Sequence, residues 1–375
     1  MTDFIPFNIP LITGGELINL KNIIHKKFSD NGFYSKKCNS WLENNCKVRK
    51  ALLTTSCTHA LEMAALLINT KPGDEIIMPS YTFVSSANAF VLRGAKITFV
   101  DIRPDTMNLD EKKIEAAINK NTKAIVTIHY AGVSCEMDKI LTIAKKYNLY
   151  VIEDAAHGLM SEYKGKPLGS MGNIGCLSFH ETKNYQCGEG GAILINDDSL
   201  IERAEIIREK GTNRNQFING TVDKYTWVDI GSSYVLSELN AAFLFAQFEN
   251  VYDVNKKRLS LYNQYKKNLS SLDQLDIQTI PREIEHNAHL FYIKLKNIYE
   301  RQMMTEYLKL HKIQSVFHYI PLHHSKECKN YYYFCGSDKY TSKESERLLR
   351  LPLYYDLKIS EVDYICDKIK DFFND

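Results

Sequence analysis

The 375-residue sequence contains no C-x-x-C pair: its nine cysteines, at positions 38, 46, 57, 135, 176, 187, 328, 335 and 366, are odd in number and scattered. That spacing fits neither a disulfide framework nor a zinc ribbon, and reduced thiols in a cytoplasmic protein are expected. No apolar run approaches the roughly 20 residues that a membrane-spanning helix requires, so no membrane partner is expected. The N-terminus, MTDFIPFNIPLITGGEL, lacks the basic start and continuous apolar stretch of a signal peptide, because Asp3 comes early and Pro6 and Pro10 interrupt it. There is no excess of one charge: 47 basic and 45 acidic residues leave a net charge of +2, which gives nucleic acid nothing to bind. Any anionic ligand must be held locally. Nucleotide-binding fingerprints are missing too, since glycines 188, 190 and 191 read G-E-G-G and not G-x-G-x-x-G, and no P-loop occurs.

What is present describes an ordinary globular chain, 44% hydrophobic and 25% charged. Its length suits a large domain, 1–250, and a smaller one, 251–375. From about residue 50 to 200, short β-branched runs (GDEIIMPS, AKITFVD, TKAIVTIHY, LYVIEDAA, GCLSFH, GGAILIND) alternate with helical segments at 58–69, 110–119 and 138–147. This alternation predicts an α/β fold with a mostly parallel sheet between helical layers, whose site lies at the carboxyl ends of the strands. Residues 237–269 keep helical spacing without Pro or Gly and predict one long connecting helix. Beyond it, NAHLFYIKL and QSVFHYIP predict strands, and RQMMTEYLKLHK and EVDYICDKIKDFF predict helices, giving a small α+β C-terminal domain.

Four local features carry candidate chemistry. In SFHETKNYQCGEGG a strand ending at Ser178 is followed by Lys183 and a Gly-rich turn; a lysine desolvated there can act as an amine nucleophile or base, although a lone loop lysine is usually only solvated. In VIEDAAHG a strand delivers Asp154 to its end, where a carboxylate can hold a pyridinium nitrogen protonated or simply cap a helix. In TTSCTHALEM, hydroxyl residues precede a helix whose first amides suit a phosphate, with Thr58 and His59 as the cradle, while Ser56 and Thr58 can equally be plain caps. In PSYTFVSSANAF, Phe83 follows a strand and can stack on a flat ring or pack in the core. All four follow strands of one sheet and can face one crevice. Histidines 318, 323 and 324 have no carboxylate or cysteine in local spacing, so no metal is expected.

In this order, with LSFHETKN and GEGG as the most specific stretch, these elements resemble the DegT/DnrJ/StrS family of sugar aminotransferases, from IPFN at 5–8 to SERLLRLPLYYDL near the end. The resemblance implies the fold-type I architecture of pyridoxal 5'-phosphate (PLP) transferases. It implies Lys183 as the Schiff-base lysine and proton shuttle, Asp154 as the pyridinium partner and Phe83 as the stacking ring. Thr58, His59 and Ser178 would hold the phosphate. His157 stands where many relatives have a glutamine bonded to the phenolic oxygen, and Ser233 where they have an asparagine reaching the phosphate from the neighbouring subunit, so a homodimer with shared active sites is implied. Tyr319 and His323 are candidates for the sugar side, with strand packing as the alternative.

Related dehydratases carry histidine in place of Lys183, so the resemblance favours amine transfer. L-glutamate would be the donor and C4 of dTDP-4-keto-6-deoxy-D-glucose the acceptor, giving a dTDP-4-amino-4,6-dideoxyhexose, the galacto product being favoured. The alternatives are the gluco epimer, C3 amination of a 3-keto sugar, or a degenerate member of the fold acting as a binding or regulatory protein.

Overall fold

A computed structural model describes residues 4–26 and 32–374. Met1–Asp3, the start of the N-terminal stretch read above, lie outside the described residues. The strands are β1 (Lys50–Thr54), β2 (Glu75–Pro79), β3 (Lys96–Val100), β4 (Thr122–Ile128), β5 (Tyr150–Asp154), β6 (Glu162–Tyr163), β7 (Lys166–Pro167), β8 (Ile174–Ser178), β9 (Gly191–Ile195), β10 (Asp276–Ile277), β11 (Ile284–Glu285), β12 (Phe291–Lys294), β13 (Tyr332–Phe334) and β14 (Leu348–Leu351). Eight of them form one sheet in the order β1-β9-β8-β5-β4-β2-β3-β13. Only β9 runs against its neighbours, pairing antiparallel with both β1 and β8, so the sheet is mostly parallel as expected. Its central strands are buried on both faces, with runs such as EIIMP and AIVTI in place of alternation, and two apolar clusters cover the two sides.

A third cluster, from Leu261 to Ile369 and including Ile5, packs around the three-stranded sheet β10-β12-β14. The C-terminal part is not sealed off from the large sheet. Tyr332–Phe334 adds to it as an edge strand parallel to β3, and β11 pairs with β6.

Two expectations are corrected. Residues 237–269 form two helices, Glu238–Phe248 and Val251–Leu269, not one. The break falls at Asn250, whose side-chain amide donates to the Ala246 carbonyl at 2.9 Å and so takes the acceptor that a continuing helix would use. The stretch 314–321 is not a strand: it makes a single bridge, Val316 to Arg350, before turning away. The reason is tertiary, since the Tyr81 hydroxyl takes the His318 carbonyl and the chain turns toward a cavity. β13 was not anticipated, and β1 was implied only as the strand before Thr58, without a range. Among the described residues, no helix is long and apolar enough to cross a membrane.

Candidate active site

At the carboxyl ends of β1, β2, β5 and β8 lies a cavity of ≈ 680 Å³. Each wall is placed by a strand end. β5 delivers Asp154, whose Oδ2 accepts the Ser86 hydroxyl at 2.6 Å and whose Oδ1 accepts the Ala156 amide at 3.2 Å. A turn follows and not an α-helix, so Asp154 is not a helix cap. Ser86 spends its proton on Asp154, so Thr82 must donate to Ser86 across their 2.9 Å contact, which completes a buried chain that fixes the carboxylate.

After β8 the chain makes a tight loop, held by Phe179 N to Gly190 O and Glu181 N to Gly188 O, with Asn184, Tyr185 and Gln186 bonded to Asn287, Val251 and Leu11. Lys183 extends from this anchored loop into the cavity, half-buried, its side chain making no hydrogen bond or ion pair among the described residues. Burial lowers its pKa from 10.5 to about 8, with the Asp154 carboxylate opposing the shift and Arg350 adding to it.

The helix Cys57–Leu67 opens onto the same cavity. Ser56 is its cap, with Oγ accepting the His59 amide at 3.1 Å, which leaves the Cys57 and Thr58 amides without acceptors in the helix. The Thr58 hydroxyl lies 2.8 Å from that of Ser85. β9 passes very close: a Cβ on Gly191 would sit 2.4 Å from the Cys57 nitrogen. That contact is backbone on both sides and cannot yield cheaply. Gly191→Ala is therefore expected to push β9 and the helix start apart, costing about 1–3 kcal/mol, read as a lower thermal midpoint together with weaker cofactor retention. An unchanged midpoint would refute the contact.

Of the residues singled out in the sequence, Thr58, Phe83, Asp154, His157, Ser178, Lys183 and Tyr319 line this cavity. Phe83 is 57% exposed, with its ring 6.4 Å from that of Tyr319. Three others are not brought there. The His59 ring bonds Thr55 and meets the edge of Tyr234. Ser233 is exposed and bridges to Glu209. His323 Nδ1 lies 2.6 Å from Ser80 Oγ and its Nε2 lies 3.0 Å from Asp338. The ligand atoms of His323, His324 and Asp338 lie within 4.8 Å of one another, a grouping that local spacing could not show. Ser342 Oγ stands among them, 2.7 Å from His324 Nε2 and in a short contact with Asp338.

The structure also settles the protonation of His157. Its Nδ1 accepts the Ala131 amide at 3.2 Å, and burial, with Lys183 and Arg350 adding to it, holds its pKa well below 6.5. The ring is thus neutral with its proton on Nε2. It stacks on His289, 4.1 Å between centroids, whose Nδ1 lies 2.9 Å from Asn184. His318, read from the sequence as one of the histidines facing a cleft, also lines the cavity, and Ser86, His289 and Arg350 line it too but were missed in the sequence. Ser86 stood within the quoted PSYTFVSSANAF and Arg350 within SERLLRLPLYYDL, but no local pattern set them apart.

A family model described as the DegT/DnrJ/EryC1/StrS aminotransferase family matches residues 11–370. The chain belongs to this family. It is a sugar aminotransferase by family and by fold, and DegT/DnrJ aminotransferases use PLP. The uncharacterized protein MJ1066 of Methanocaldococcus jannaschii is 32% identical to it over 375 residues, covering 98% of this chain and 97% of that one. The spore coat polysaccharide biosynthesis protein SpsC of Bacillus subtilis is 29% identical over 376 residues, with coverage of 98% and 97%. Among solved structures, the PLP-form of Spr1654 from Streptococcus pneumoniae superposes with a TM-score of 0.90 at 25% identity, covering 99% of this chain and 98% of that one.

PLP makes three demands of a site: an amine for its aldehyde carbon, a carboxylate for its ring nitrogen, and donors for a dianionic phosphate. The cavity supplies a desolvated lysine, a buried and fixed carboxylate, and helix amides flanked by the hydroxyls of Thr58, Ser85 and Ser178. The donor set fits the cofactor.

Proposed function

We propose that this member of the family is a PLP-dependent aminotransferase that moves an amino group from L-glutamate to C4 of dTDP-4-keto-6-deoxy-D-glucose, with the galacto-configured amine as product. The observation that carries the PLP chemistry is the joint presence of Lys183 and Asp154 in one cavity at the strand ends. SpsC's description as a polysaccharide biosynthesis protein supports a sugar acceptor. The choice of dTDP sugar rests on the sequence resemblance described above.

The bound cofactor supplies an electron sink for the carbanion formed when a substrate proton is removed. The chain's own groups do the rest. Lys183 would hold the cofactor covalently through its amine and would move the proton between the two carbons that exchange it. Asp154 keeps the ring nitrogen protonated. Thr58, Ser178 and the first helix amides hold the phosphate; the His59 amide can join them only by giving up Ser56. His157, neutral and protonated at Nε2, donates to the phenolic oxygen. Phe83 covers the ring and Tyr319 lines the sugar side, while His323 supports that side through Ser80. Ser233 is exposed and lies away from its own chain's cavity, and in a homodimer it would serve the partner's site; the nine unpaired cysteines suit a cytoplasmic setting.

NMR of the product formed from the purified protein, L-glutamate and the 4-keto sugar nucleotide tests the reading: the galacto C4 amine supports it, whereas the gluco epimer, a C3 amine or no amine overturns it. A pH experiment tests the lysine separately. Only the neutral amine attacks, so PLP attachment to the apoprotein should speed up about tenfold per pH unit below the Lys183 pKa of about 8 and level off above it. A midpoint at the ordinary lysine value of 10.5 would show that burial does not act on the amine.

A further inference from the structure

Outside the cavity, a second group of side chains converges from two segments. His323 and His324 end the short turn Leu322–His324, while Asp338 lies just before the helix Thr341–Arg347 and Ser342 in its first turn. His323 Nε2 lies 3.0 Å from Oδ2 of Asp338, 15 residues away, and the ligand atoms of His323, His324 and Asp338 all lie within 4.8 Å of one another. Zinc holds such atoms at about 2.0–2.1 Å, so in a tetrahedral site they stand about 3.3 Å apart. The His323–Asp338 pair is already near that spacing. His324 is exposed, and its side chain can close the remaining gap without disturbing the core.

Two of these ligands are held in place beforehand. Ser80, buried just after β2, has its hydroxyl 2.6 Å from His323 Nδ1, and its carbonyl accepts the Leu322 amide at 2.9 Å. The Phe334 ring packs edge-on against the same imidazole, 4.8 Å between centroids. Nε2 is thus the nitrogen that faces Asp338. With its proton on Nε2 the ring bonds Asp338 directly; with the proton on Nδ1 it donates to Ser80 and offers the Nε2 lone pair, as a metal-bound histidine oriented by a second partner does. Asp338 Oδ1 accepts the Ser342 amide at 3.0 Å, which leaves Oδ2 for the histidines, and among the described residues no lysine or arginine pairs with this carboxylate. Two imidazole nitrogens and one carboxylate suit zinc, whereas magnesium and calcium take oxygen ligands. The Ser342 hydroxyl, 2.7 Å from His324 Nε2, stands close enough to supply the fourth ligand or to bond a water that does.

We infer that His323, His324 and Asp338 bind a zinc(II) ion that acts as a clip and not as a catalyst, since none of the three lines the cavity. The ion would join two segments. One is the turn that follows His318 and Tyr319, both in the cavity wall. The other is the stretch after β13, anchored where Asp101 accepts the amides of Lys339, Tyr340 and Thr341. Bound zinc therefore stiffens the C-terminal wall of the cavity, whichever sugar the enzyme takes.

The test titrates chelator-treated holoenzyme with zinc chloride against a chromogenic chelator and reads the thermal midpoint in parallel. Wild type is expected to bind one zinc per chain and to melt higher as zinc is added, because an ion that binds the folded chain stabilises it. His324→Asn and Asp338→Asn should each weaken zinc binding about 100-fold or more, since loss of even an outer-shell partner costs about 10- to 100-fold. The zinc-free midpoint of His324→Asn should match wild type, so that variant separates a lost ligand from a lost fold. Cys328→Ser, which removes an exposed thiol near the site in sequence, should bind zinc as wild type does. Magnesium chloride should leave every midpoint where it was. Wild type that binds no zinc overturns the inference, as does zinc binding that survives both His324→Asn and Asp338→Asn, or a midpoint that magnesium raises as much as zinc.

Discussion

Lys183→Ala is expected to abolish amine transfer, by at least about 10⁴-fold, the upper range for loss of one positioned acid–base group. The residue has two duties in the proposed chemistry, bonding the cofactor and moving the proton, and no neighbour can take over either. His157, His289 and His318 are held neutral by burial, His129 is engaged by Glu153, and His180 is bonded to Thr182. The fold, in contrast, should not notice. The Lys183 side chain makes no hydrogen bond or ion pair among the described residues, and the loop around it is anchored by Asn184, Tyr185 and Gln186. Removing an amine whose charged form burial disfavours cannot lower stability through electrostatics. The expected pattern is a protein with an unchanged thermal midpoint, no covalent visible band with PLP, and no product. Residual transfer above about 1% of wild type would remove Lys183 from the reaction.

Asp154→Asn is expected to lower kcat about 10²- to 10³-fold, the range for deleting a preorganised charge from a site. The substitution is close to isosteric. The Asn carbonyl oxygen can still accept the Ala156 amide, and Ser86 can rotate to accept from the new NH₂ group and donate to Thr82, because both hydroxyls are free rotors. What is lost is the negative charge that keeps the cofactor's ring nitrogen protonated. The visible band should then shift and PLP should dissociate more readily while the thermal midpoint of the apoprotein stays put. Asp154→Ala adds a structural penalty, since it leaves the Ser86 hydroxyl and the Ala156 amide without their acceptor. An Asp154→Asn protein with the wild-type rate would show that the carboxylate does not serve the ring.

Local sequence announced the parts of this site that follow strands. Asp154, Thr58, Phe83 and Lys183 each come directly after a short apolar run, and in a parallel sheet that position alone sends a residue to the functional edge. The helix at 57–67 was legible from its hydroxyl start and apolar body, although which serine caps it was not: Ser56 does, so the His59 amide is engaged. The helix predicted over 237–269 failed at Asn250 because its side chain competes for a backbone carbonyl, an effect that periodicity does not record.

The sequence by itself determined a mostly parallel α/β fold, the family, and a lysine and a carboxylate at neighbouring strand ends, because these depend on spacing within one segment. The tertiary structure decided the rest. It placed Arg350, Tyr319 and His318 in the cavity from the C-terminal part, carried Tyr332–Phe334 to the edge of the large sheet, and left His323 outside, bonded to Ser80. It also fixed the proton of His157, through an Ala131 amide 26 residues away. Each of these depends on segments distant in the chain meeting in space, so burial, charge and hydrogen-bond partners there are properties of the packed molecule and not of any stretch of sequence.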